Sequence, residues 1–589
     1  MRITPNNLTL GNLFNNHYEQ FYIPAYQRRY AWGVSQFSAL FNDINQLSDG
    51  DTHLLGTILF LADSHTAGVN RLEVVDGQQR ITTISIILKV VLDKFTEMGI
   101  DQVSEVKKYL SCKAPGEASN KLELGDLDNS DYTKIIKGGD LDGVENQNLK
   151  EAYFYFKQKI DELGDKCVDF YEKLVGRVEI IRLDMAEAKD AYKLFETINN
   201  RGLKLSATDI IKNFLLGHAS IIDEDTLNAV KNSWRGMIVN LDGIDSDKFF
   251  RHFMMRKLRE KIPTSKLIDE FKNYYYASIT EAEKLSDYKM HFESLNANGD
   301  EDDEEENGDA EKYEIKFYND KKISIIEFGK VLKNTSRIYA QIMSQSFENT
   351  KINRCLSDLR RIESTPTFTF LLDLFSREKV SEEDKIKILK MLSVFMIRRH
   401  ICQYRTAVLD DIFSKLTEVK DENIVESVRE QLIKDLPGDR EFREKFAASQ
   451  FKGLEERAKY IFTEIEKELI EDQDEIDIRK EVQLEHIIPQ TISTKKSIRE
   501  FGDWPGYLGR GSLEKHKDYV WRIGNLTILS QKLNIVASNN PFEAKMIEYK
   551  KSNIELNKRI IRGYKKFKFD EVNERSGELS KLAVKIWHF

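Results

Sequence analysis

Short-range patterning of apolar residues divides this chain into three stretches. Near the start, Phe21 to Pro24, Leu54 to Leu61 and Leu72 to Val75 are brief β-branched or apolar runs bounded by turn residues, which predicts strands of a small mixed α/β domain. From Ile81 the apolar positions fall three and four apart, through Ile84, Ile87, Leu88, Val91, Leu92 and Phe95, the spacing of a helix face. Helices are then expected to about residue 470, interrupted at Asp300 to Glu311, where nine acidic residues in twelve repel one another too strongly to pack and predict a solvated loop. Near the end, Val482 to Ile488 reads as a strand, Trp521 to Leu529 as a turn and second strand, and Gln531 onward as a helix. The expected chain is α+β and predominantly helical, in four parts: 1–95, a helical 96–345 that includes the acidic loop 300–311, a helical linker domain 346–470, and a strand-strand-helix domain 471–589.

Composition narrows the class. With 589 residues, 41% hydrophobic and 10% aromatic, the chain can bury several cores, so global disorder is excluded. No run of about 18 uninterrupted apolar residues occurs, and Met1 to Leu10 lacks the basic start and apolar core of a secretory signal. A cytoplasmic protein with no membrane partner is expected. Cys112, Cys167, Cys355 and Cys402 form no CxxC pair and read as reduced thiols. A net charge of -9 argues against indiscriminate coating of DNA, so any nucleic-acid site must be a local basic patch.

The chemistry-bearing text is concentrated at the two ends. Glu485 and His486, adjacent on a strand, project to opposite faces and can serve different jobs. Thirty-nine residues after His486 stands Asn525, within Arg522-Ile523-Gly524-Asn525-Leu526-Thr527, and nine further on stands Asn534. This spacing resembles the His-Asn-His nucleases. Cleaving a phosphodiester requires a deprotonated water and a charge to neutralise the leaving oxygen. His486 fits the general base, while Glu485 and the amide oxygen of Asn534 fit a hard cation, magnesium or manganese. Asn539 competes with Asn534 for the ligand position. Lys558 to Phe569 carries six basic residues and no acidic one, interleaved with aromatics. That composition suits DNA phosphate contact by Lys558, Arg559, Arg562, Lys565 and Lys566, and equally one amphipathic helix face.

At the N-terminal end, Asp76-Gly77-Gln78-Gln79-Arg80 lies between a strand and an apolar helix, where free backbone N–H groups and the helix dipole favour an anion. Gly77 lets a phosphate approach, and Arg80 can grip it. No GxxxxGK[ST] sequence occurs, which disfavours a conventional phosphate loop. Phe195 to Leu216 reads as a helix ending near Asn200, then a second helix capped by Ser206 with Asp209 three later; the loop between would present Asn199 and Arg201 to the same cleft.

Together with Asn539-Asn540-Pro541-Phe542-Glu543-Ala544-Lys545, the C-terminal motifs are similar to the nuclease half of the GmrSD family of modification-dependent, type IV restriction enzymes. Phe21 to Trp32 (FYIPAYQRRYAW) and DGQQR resemble that family's N-terminal half. The resemblance covers about the first 220 and last 120 residues. It implies a ParB- and sulfiredoxin-like domain at 1–95 and a ββα-metal His-Asn-His nuclease domain at 471–589.

Carried over, it makes His486 and Asn525 the catalytic base and its brace, and makes Asp76 and Arg80 residues of nucleoside triphosphate hydrolysis. Tyr26, Gln27, Arg28, Gly77, Gln78 and Gln79 would bind nucleotide or sense a DNA mark, and Lys545 would contact phosphate. The third motif position is asparagine where many such nucleases have histidine, which leaves the metal ligand open. The implied partners are a nucleoside triphosphate and double-stranded, modified phage DNA, with a homodimer left open. Two other readings stand beside it: a nucleotide hydrolase that binds DNA without cutting, and a helical interaction protein whose polar motifs only cap and turn.

Overall fold

A computed structural model of the chain describes residues 5–66, 68–113, 119–199, 206–285, 321–470 and 482–589. The acidic stretch 300–311 and Arg201 lie outside the described residues. The chain forms two compact units, one from Met1–Arg251 and Pro263–Ala340, the other from His252–Ile262 and Gln341–Phe589. Its path therefore passes between them three times.

The first unit is organised by a six-stranded mixed sheet of β1 (Asn6–Thr9), β2 (Glu19–Tyr22), β3 (His53–Thr66), β4 (Val69–Asp76), β5 (Leu122–Glu123) and β6 (Val178–Met185) in the order β1-β6-β3-β4-β2-β5. The three expected strands are present, and β3 and β4 pair antiparallel. The expected boundary at 95 falls inside helix α1 (Gln78–Met98), and β6, eighty residues beyond it, pairs with both β1 and β3. Local alternation cannot show this, because β6 is tied to its neighbours by pairing distant in sequence. Helix α1 is buried almost all round, from Ile81 and Ile84 to Phe95, and even Thr82, Thr83 and Ser85 are buried. That fits a helix apolar on most of its faces. Its core partners include Phe21, Phe37, Phe60, Phe156 and Phe170. Helix α2 (Ala207–Ile222) follows, with the backbone N–H of Asp209 donating to Ser206 Oγ at 3.1 Å as the cap pattern predicts, and then α3 (Glu224–Asn240).

The second unit is helical apart from β7 (Val482–His486) and β8 (Leu526–Ser530), an antiparallel pair that sets Leu526 opposite His486. Three short helices separate the strands: α4 (Lys495–Phe501), α5 (Trp504–Leu508) and α6 (Ser512–Tyr519). After β8 come α7 (Gln531–Ala537), α8 (Phe542–Lys550), α9 (Glu555–Gly563) and α10 (Phe569–Ile586). The expected strand-strand-helix order is present. Segments 346–470 and 471–589 share one core: Trp587 packs on Phe442, Phe446 and Tyr460, its carbonyl accepts from the buried Arg398 at 2.7 Å, and Glu466 caps the start of α9 by accepting from the N–H of Leu556 at 2.9 Å. Among the described residues all four cysteines are free thiols, and no helix is long and apolar enough to cross a membrane.

Candidate functional site

The C-terminal centre is built on the end of β7. His486 is 6% exposed and stands edge-on to Trp521, with ring centroids 4.5 Å apart. Burial, then the nearby Lys545 ammonium and His516, lower its pKa from 6.5 to about 3, so the imidazole is neutral at physiological pH. Its Nδ1 lies 3.2 Å from the Gln490 amide, while the buried Nε2 has no hydrogen-bond partner. Asn525, expected to brace this loop, is fully buried. Its side-chain amide donates to the carbonyls of Ile488 and Val520, both at 2.9 Å, and its Oδ1 accepts the N–H of Ile488 at 2.8 Å. One side chain thus joins the segment after His486 to the turn before β8. The turn is held from behind by α10: Arg575 donates to the carbonyls of Gly524 and Leu526 at 2.8 and 2.6 Å, and Ser576 Oγ accepts from Gly524 N–H. A Cβ on Gly524 would stand 2.1 Å from the Val572 carbonyl, so this position has room only for glycine.

On the other face of β7, Asn534 donates to Gln483 Oε1 at 3.0 Å, and its own Oδ1 is buried without a partner. Gln483 and Glu485 share that face by the two-residue period of the strand. Glu485 departs from a plain metal-ligand arrangement. Lys545 Nζ donates to its Oε1 at 2.7 Å and to the His486 carbonyl at 2.6 Å, and Tyr549 Oη donates to the same Oε1 at 3.0 Å. The Lys545 side chain is 0% exposed. Its expected contact with phosphate is therefore corrected: in this structure it points inward as the counter-charge of Glu485. Burial raises the Glu485 carboxyl and lowers the Lys545 ammonium, each against the pull of the other charge. Among the described residues no group of three or more His, Cys, Asp or Glu side chains is placed to hold a metal.

Lys558, Arg559, Arg562, Lys565 and Lys566 are all exposed, whereas Ile560, Tyr564, Phe567 and Phe569 turn into the core. The segment is not one helix face, since α9 ends at Gly563 and α10 begins at Phe569; the aromatics between and at the start of α10 pack inward. Lys558 and Arg562 pair with Glu555, and Lys566 pairs with Glu571 at 3.4 Å.

In the first unit, Gly77 caps α1 in the left-handed region at φ +92°, with Ile58 so close that a Cβ would meet it at 3.0 Å. Arg80 reaches back to Asp76 at 3.2 Å and to the Leu55 carbonyl at 3.3 Å. Gly56, at φ +110°, makes room for it, since a Cβ there would lie 2.4 Å from the guanidinium. Burial raises the Asp76 carboxyl against the pull of Arg80. Gln79 is a brace: its Oε1 accepts the N–H groups of Ala31 and Trp32 at 2.8 and 3.2 Å. Gln27 donates to the Val75 carbonyl at 3.1 Å and accepts from the buried Lys212. Tyr26 donates to Glu73, a 2%-exposed carboxylate that also accepts from Tyr22 at 3.0 Å and Lys231 at 3.2 Å.

Tyr26 and Arg28 line a cavity of about 360 Å³ together with Arg29, Lys212, Trp234 and Asp242, among others. Gln27, Gln78 and Gln79 line a smaller hollow, and Asp76 and Arg80 line neither. Asn199 closes the helix Ala188–Asn199. Sequence reasoning missed Gly56, Glu73, Lys212, His516 and Arg575. A lone glutamate within the apolar run Leu72 to Val75 was the one local signal for a buried network.

These features define a chain that carries a strand-glycine-helix cradle in one unit and, in the other, a neutral buried histidine braced by an asparagine at a strand-strand-helix centre. Comparison with known families agrees at both ends. Residues 10–216 match the family described as GmrSD restriction endonuclease, N-terminal domain, and residues 436–582 match GmrSD restriction endonucleases, C-terminal domain. The chain belongs to the GmrSD restriction endonucleases, enzymes that cut DNA, and bears the domains of a type IV-like defence endonuclease. No curated protein matches it.

Proposed function

We propose that the second unit cuts DNA phosphodiester bonds with His486 as general base, and that nucleoside triphosphate binding or hydrolysis in the first unit gates the cut. The observation that carries the base assignment is His486 Nε2, buried, neutral and without a partner. In the structure the Gln490 amide nitrogen faces Nδ1 at 3.2 Å; the base role requires the flipped amide, whose oxygen accepts from Nδ1–H and leaves Nε2 its lone pair to take a proton from water. Asn525 fixes the backbone just after this ring, at Ile488, and ties it to Val520, so limiting its motion.

The donor set fits a hard cation, since the Asn534 amide oxygen has no partner and Glu485 lies on the same strand face. Asn534 is favoured over Asn539 on that ground. Magnesium or manganese held there would supply the positive charge that neutralises the leaving oxygen. Glu485 would share its carboxylate between the cation and Lys545. Exposed Lys558, Arg559, Arg562, Lys565 and Lys566 would contact backbone phosphates.

In the first unit, the cavity beside Tyr26 and Arg28 is lined by Arg28, Arg29 and Lys212 and by four aspartates, Asp209, Asp242, Asp245 and Asp247; Asp209 pairs with Arg28 and Lys212 and Asp242 with Arg29, so an anionic ligand would take these cations over from their carboxylates. We place the triphosphate there, with Gln79 of the DGQQR turn acting on the cavity only through the Ala31 and Trp32 backbone that it braces, and with Asp76 and Arg80, which line neither hollow, kept as the hydrolytic residues that the family resemblance implies. The test is cleavage of unmodified and phage-derived modified DNA by purified protein with magnesium or manganese, with and without each nucleoside triphosphate, beside a folded His486→Ala variant. Cutting that is lost with His486 supports the nuclease, and its dependence on nucleotide supports the gate. Cutting that survives in His486→Ala refutes the base assignment, and no cutting under any condition favours a nucleotide hydrolase that only binds DNA.

A further inference from the structure

Beside the candidate nuclease centre lies a second concavity that none of the chemistry above uses. Its walls are aromatic, from Phe501 at the end of α4, Trp504 and Tyr507 on α5, and Phe542 on α8. Its volume is about 180 Å³. That is below the roughly 300 Å³ at which pockets for drug-sized ligands begin, so it suits one ring system and not a whole nucleotide. The polar lining consists of the carboxylates of Asp503 and Glu543. Asp503 gives one carboxylate oxygen to its own helix, accepting the N–H of Gly506 at 2.9 Å, whereas the exposed Glu543 is the carboxylate on α8, the helix that leads to the catalytic strand.

The pocket is tied to the catalytic strand through shared elements. Trp504 Nε1 donates to the Asn539 carbonyl at 2.9 Å, in the turn that follows the helix of Asn534. Phe542 and Glu543 open α8, the helix that carries Lys545 and Tyr549 to Glu485. Positive charge stands beside it: Lys568 Nζ lies 5.0 Å from the centre of the Tyr507 ring, and the exposed Lys565 and Lys566 precede Lys568 in the chain.

We propose that this pocket receives a single unstacked nucleobase of the DNA substrate, with its phosphates on the neighbouring Lys565, Lys566 and Lys568 and its exocyclic amine donating to Glu543. Aromatic walls supply stacking to any base, whereas a carboxylate acceptor favours bases that carry an exocyclic amino donor, cytosine, adenine or guanine, over thymine, which offers only its ring N3–H. The inference rests on the reading of the second unit as a DNA endonuclease.

The test uses the full chain in chelator, where no cutting occurs, and measures binding to duplexes carrying one unpaired dC, dA, dT or abasic residue. Wild type should bind unpaired dC and dA on the order of tenfold more tightly than dT, and dT more tightly than the abasic site. Phe501→Ala should weaken binding to every unpaired base by about 5- to 150-fold, the range of one base–aromatic stack, and leave the abasic duplex unaffected. Glu543→Ala should erase the dC-over-dT preference, and Glu543→Gln, which keeps an acceptor oxygen, should restore most of it. Equal affinity of wild type for all four duplexes, or a preference untouched in Glu543→Ala, overturns the proposal. A separate arm, plasmid cleavage with magnesium by wild type and His486→Ala, reports on the nuclease reading alone.

Discussion

Lys545→Met removes one member of an ion pair whose lysine side chain is 0% and glutamate side chain 6% exposed. It leaves the Glu485 carboxylate buried, with only Tyr549 Oη still donating to its Oε1. Breaking a buried pair from one side costs about 3–5 kcal/mol, and the surviving tyrosine bond places the expectation near the lower figure, a loss of roughly two orders of magnitude in the folding equilibrium. Glu485→Gln in the same chain removes the stranded charge, so the double variant should recover most of the loss and show a coupling energy of about 2 kcal/mol or more. The assay is urea unfolding followed by tryptophan fluorescence. Three of the five tryptophans, Trp504, Trp521 and Trp587, belong to the second unit, so the signal is weighted toward it. A Lys545→Met midpoint within error of wild type would refute the reasoning, because it would mean that the lysine is solvated.

Gly56→Ala and Arg80→Ala should lose nucleotide binding alike, since the Cβ of the first would displace the guanidinium; normal binding by Gly56→Ala in a labelled-nucleotide titration would count against Arg80 as a site residue. Gly524→Ala should destabilise the second unit by about 3 kcal/mol through collision with the Val572 carbonyl, whereas Gly577→Ala, with open space around it, should be neutral or stabilising in thermal unfolding. Because the folded-state pKa of His486 is lowered from 6.5 to about 3, its contribution to stability is present above about pH 6.5 and is lost progressively as pH falls toward 3. His486→Gln should therefore flatten the decline of the urea midpoint between pH 7 and pH 4.5. For the same reason the rate of cleavage should show no His486 inflection between pH 5 and 7; an inflection that disappears with a folded Gln490→Ala variant would assign a higher pKa to the ring.

The strand before DGQQR, the helix after it and the strand-strand-helix order around His486 were legible because each rests on local periodicity and turn chemistry. The pairing of β6 with β1 and β3 was not, since Val178–Met185 reads locally as one more apolar segment within helical text. The fate of Lys545 was hidden for a different reason. Lysine defaults to the surface, and only the packing of α8 against β7 brings its ammonium to a carboxylate sixty positions earlier. The run from Lys558 to Phe569 shows the reverse case. Its charges are exposed as composition suggests, but its rings serve the core and not the nucleic acid.

The three passages of the chain between the units bear on how the enzyme can be taken apart. A nuclease joined to its controller by a single tether can be released by one cut or transplanted as a C-terminal fragment. Here a fragment beginning at Gln341 would lack His252–Ile262, including Arg256, which donates to Asp373 at 3.0 Å. The shortest piece holding the whole second unit starts at His252 and carries Pro263–Ala340 of the first with it. The second unit is therefore not a removable C-terminal cassette.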